Sequence, residues 1–111
     1  MRWLMVVSLV VLASAQAFAA TPDEEMVRLT EKVEATAQGD AGNCPKMASD
    51  LRALHQQNAA LIQRLRTSSH GHKLAHAYEP RLNAALQGTV AAVNTCGRDE
   101  NVRQAVRDFP R

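Results

Sequence analysis

The densest cluster of side chains able to ligate a metal or move a proton is Ser69-His70-Gly71-His72-Lys73-Leu74-Ala75-His76-Ala77-Tyr78-Glu79. Imidazole nitrogens and a carboxylate are donors that Zn²⁺, Cu²⁺ and Ni²⁺ accept. On an intact helix His72, His76 and Glu79 project within about 60° of one another, with His70 able to swing in from the preceding turn. Two features count against a working site. The stripe lies roughly 100° from the Leu74/Tyr78/Leu82 seam and so faces solvent, and Pro80 disturbs the helix that carries it. The expectation is a solvated polar flank without a cofactor, and the alternative is a surface site for Zn or Cu formed by His70, His72, His76 and Glu79.

No other arrangement of residues names a reaction. The chain has no Ser-His-Asp set, His-Glu-x-x-His run, phosphate-cradling Gly loop or paired carboxylates. His76-x-x-Glu79 reads in the opposite order to the Glu-x-x-His of di-iron bundles. His55 lies beside an apolar seam and is expected to pack its ring against leucines. The expectation is therefore a protein that is not an enzyme.

The two cysteines, Cys44 and Cys96, are 26 residues before and 26 residues after His70. An antiparallel hairpin turning near His70 brings them together, and a lone pair of cysteines in an exported chain is expected to close as a disulfide. Neither a close Cys-x-x-Cys dithiol nor the Cys-x-x-Cys-His of covalent haem attachment is present.

Four helices are expected to position these residues. The first runs from about Pro22 to Ala37, opened by Thr21-Pro22-Asp23-Glu24, which places a capping Thr, a Pro at the first helical position and a Glu three residues after the cap. Its apolar stripe is Met26, Leu29 and Val33. After the turn residues Gln38 to Asn43, a second helix carries Met47, Leu51, Leu54, Asn58, Leu61 and Leu65 at alternating spacings of four and three, a seam about 80° wide. Asn58 within it is expected to bond a neighbouring helix or a water and fix register. Thr67 to Gly71 forms the next turn. The third helix is expected to run to about Cys96 with Leu74, Tyr78, Leu82, Leu86 and Val93 inward, and Gly97 as its stop. Pro80 either kinks it near residues 76–79, the reading preferred, or is the first residue of a shorter helix. The last helix spans about Asp99 to Phe109, with Val102, Val106 and Phe109 on one face.

The chain opens with one basic residue, Arg2, an apolar stretch from Trp3 to Ala13, and the small-residue segment Ser14 to Ala19. This order is that of a secretory signal, too short to span a bilayer of about 30 Å, with Ala17-Phe18-Ala19 as the cleavage site. Residues 1–19 are expected to be a cleaved signal peptide and residues 20–111 a single helical domain. That places the protein in the periplasm or outside the cell, with no membrane anchor after cleavage. Loss of Arg2 leaves 12 basic against 11 acidic residues, too even a balance for nucleic acid, and Tyr78 and Phe109 alone offer no platform for stacking bases. The charges are unevenly spread: residues 21–40 carry six acids and two bases, residues 41–111 ten bases and five acids.

An export signal followed by four helices resembles, in architecture, the small four-helix periplasmic cytochromes, whose first-helix Met would correspond to Met26. That resemblance implies a haem His on the last helix, and Asp99 to Arg111 contains none, which removes the cofactor. The chain also lacks the repeated Leu-Thr-x-x-Gln elements of the small periplasmic helical chaperones. The sequence points to an all-α fold, a small antiparallel bundle of three long helices and a short C-terminal one, stapled as a hairpin by Cys44–Cys96. Its expected role is contact with another envelope or extracellular protein, or an accessory one, with the oligomeric state open.

Overall fold

A computed structural model describes residues 21–68 and 75–109. The leader and its cleavage site, together with His70, His72 and Leu74, lie outside the described residues. Among the described residues the secondary structure is helical, without strands: α1 Pro22–Gly39, α2 Cys44–Gln57, α3 Ala59–Ser68, α4 Glu79–Asn94 and α5 Glu100–Arg107, with a single 3₁₀ turn at His76–Tyr78 before α4. The chain is a small all-α bundle.

Local chemistry sets the helix starts. The Thr21 hydroxyl accepts from the Glu24 amide at 3.3 Å, and Asp23, Glu24 and Glu25 occupy the positive end of α1. Asn43 Oδ1 accepts from Lys46 N at 3.4 Å to start α2, and Asp99 Oδ1 from Val102 N at 3.0 Å to start α5. The tight turn between α1 and α2 needs Gly42, whose φ of 82° lies in the left-handed region that side chains avoid. The Gly42 amide then donates to Thr95 Oγ1 at 2.9 Å, which ties this turn to the end of α4.

The seam of the second helix breaks at the residue that interrupts its apolar pattern. Asn58 was expected to bond a neighbouring helix or a water; instead its amide Nδ2 donates to the Leu54 carbonyl of its own helix at 2.8 Å, and the helix divides there into α2 and α3. A short amide side chain competes for the backbone bonds of its own turn, which is why it bends a helix more readily than it bridges two. After the break Ile62 joins Leu65 in the core, while Leu61 is only half-buried. Pro80 starts a helix rather than kinking one, because its ring and missing N–H are tolerated in a first turn. The helix closes at its far end without a left-handed Gly97, through successive i→i+3 bonds from Thr95, Cys96 and Gly97.

Cys44 and Cys96 form the disulfide, with their Cα atoms 5.5 Å apart. α2 leaves the staple and α4 runs into it, so the two helices are antiparallel, as the hairpin spacing requires. They are not direct neighbours, however. α4 packs chiefly on α1, and α5 chiefly on α2. Contacts rise together along α1 and α4, from Asp23 Oδ2 accepting from Ala75 N at 3.1 Å, through Glu31–Arg81 at 2.7 Å, to Gly42–Thr95. The two helices are therefore parallel. α5 follows α2 in the same way, through Arg52–Asn101 at 3.3 Å and the Arg66 guanidinium donating to the Asp108 carbonyl at 2.8 Å.

The core is built from Leu29, Val33 and Ala37 of α1, Met47, Ala48 and Leu51 of α2, Ile62 and Leu65 of α3, and Val102, Ala105 and Phe109 at the C-terminal end. Met47 and Leu51 are fully buried, each worth roughly 1.5–3 kcal/mol of burial.

Candidate functional site

α4 meets α1 through its small residues. Ala85, Thr89 and Ala92 are buried there, with Thr89 donating its hydroxyl to the Ala85 carbonyl at 2.7 Å. A Cβ at Gly88 would meet the far end of the Glu34 side chain, which reaches over it from α1. Close packing of the two helices leaves no room for leucines at the contact, and this overturns Leu86 as an inward residue of the third helix, while Val93 packs against the core as expected. Leu82 and Val93 are half-buried flankers, and Leu86 and Val90 are 45% and 57% exposed.

Leu86 and Val90 border a groove of about 240 Å³ over α1, between α4 and α5. Its floor and walls are Met26, Leu29, Thr30 and Val33 from α1, Thr89 from α4, and Val106 and Phe109 from the C-terminal end. The threonine hydroxyl protons along it are committed elsewhere: Thr30 Oγ1 donates to the Met26 carbonyl at 2.9 Å, as Thr89 does to Ala85. The groove therefore presents apolar surface with few free polar groups. It is smaller than the roughly 300–1,000 Å³ of a typical small-molecule pocket, and its dimensions suit two or three inserted side chains. Its far wall is held by His55, whose ring meets Phe109 edge-on at 5.5 Å and 78°. His55 is a half-buried packing residue, as expected, but its partner is an aromatic ring.

Of the histidine cluster, His76 and Glu79 are among the described residues and His70 and His72 are not. His76 sits in the 3₁₀ turn and Glu79 at the start of α4, with His76 Nδ1 and Glu79 Oε2 3.2 Å apart at an exposed position. The continuous helix that would align His72 with them does not extend below residue 76 among the described residues. No group of three or more metal-ligating side chains forms among the described residues.

The strongest polar cluster was not singled out from the sequence. Lys46 Nζ donates to Asp50 Oδ2 at 2.7 Å and to Asp40 Oδ1 at 3.1 Å. Its hydrogen bond to Asp50, then that to Asp40, raises the ammonium above its ordinary 10.5, and the same Lys46 bond holds the Asp50 carboxyl below 3.8. Asp40 is buried, and its Oδ2 has no hydrogen-bond partner. The spacing of Lys46 and Asp50, i and i+4 on one helix, is the signal that could have found the exposed half of this cluster. Asp40 joins it only because the Gly42 turn folds back. The cluster braces the α1–α2 turn and holds no nucleophile or proton donor facing a cavity.

Sequence could have revealed the groove through the double character of α4, small residues at 85, 88, 89 and 92 beside large apolar ones at 82, 86, 90 and 93. Comparison of the chain with family models, with characterised proteins and with solved structures finds no match in any of the three.

Proposed function

We propose that this protein is exported by its N-terminal segment, works without catalysis, and acts by presenting the α1/α4/α5 groove to another protein of the envelope or extracellular space. One observation carries the reading: the two large apolar side chains left exposed among the described residues, Leu86 and Val90, border one and the same apolar groove. Exposed apolar surface gathered at one place marks contact sites more often than chance exposure does. The disulfide supports an oxidising compartment, and no described helix is long and apolar enough to cross a membrane.

Intact-mass analysis of the protein from its native compartment tests the export step, with a mature N-terminus at Ala20 expected; residues 1–19 still attached would overturn it. Capture from the exporting cell tests the contact. A protein retained by the wild-type chain and lost from Val90→Glu is expected, and capture unaffected by that change would reject the groove.

The second reading, a transition-metal site at His70, His72, His76 and Glu79, draws on the 3.2 Å approach of His76 to Glu79. Calorimetric titration with Zn²⁺ separates the two. Submicromolar, stoichiometric binding abolished by His76→Ala would put metal binding first.

A further inference from the structure

We draw no further inference here: the strongest candidate, the apolar groove over α1 between α4 and α5 that Leu86 and Val90 border, is the contact surface already described, and nothing in the structure shows what covers it.

Discussion

Lys46 couples two carboxylates of very different exposure, with Asp40 7% exposed and Asp50 40%. Its contribution to stability should have two pH limits. Asp50 has its carboxyl pushed below 3.8 in the folded chain, so the stabilisation is present above that value and lost as pH falls through the depressed folded one. Lys46 is raised above 10.5, so its share is complete below that value and lost as pH rises through the folded one. Thermal midpoints of the wild type and Lys46→Met should therefore differ most near neutrality and converge as pH falls below 3.8. A gap that widens on acidification would contradict the assignment. Both carboxylate contacts reach an exposed ammonium, so the difference near neutrality should be modest. Gly88 supports a second prediction at this scale. A Cβ there displaces only the far end of the Glu34 side chain, which can swing aside, while alanine gains up to about 1 kcal/mol of helix propensity. Gly88→Ala should leave chemical-denaturation stability unchanged or raise it, and a loss of more than about 1 kcal/mol would mean that Glu34 cannot move.

At the scale of the element, α4 departs furthest from its expected orientation. Its buried contact is Ala85, Thr89 and Ala92 against α1, and its leucines flank that contact. Enlarging the small contact should cost more than trimming the large flank. Ala85→Leu should destabilise by about 1–3 kcal/mol through overpacking, and Leu86→Ala by under about 1 kcal/mol, because the leucine is already 45% exposed. Urea denaturation of the two variants measures the order, and the reverse order would return Leu86 to the core. The division at Asn58 follows the same logic of local against tertiary demand. Its heptad-like position was legible, but whether the amide would reach across or turn back to Leu54 depended on what stood opposite.

At the scale of the molecule the disulfide joins the start of α2 to the turn between α4 and α5, closing a separation of 52 residues. Loop-closure entropy gives such a bridge a contribution on the order of 4 kcal/mol, a large share for a domain whose core relies on alanines. Reductant should lower the thermal midpoint by ten degrees or more, by the usual conversion of about 4–8 °C per kcal/mol for small domains. Free alkylation of both thiols in the untreated protein would contradict the staple outright.

The sequence by itself determined the helical class, the capped starts at Thr21 and Asn43, the turn cluster that contains Gly42 and the pairing of Cys44 with Cys96. Each of these depends on residues close along the chain, or on two cysteines with no other partner to choose. Tertiary structure alone decided that α1, rather than α2, lies against α4, that small residues make that contact, and that Leu86 and Val90 are left at a groove. Periodicity places apolar residues on a face, but a helix with two apolar faces can bury either one. The choice falls to the face that admits the closest packing, which depends on the shape of the helix opposite.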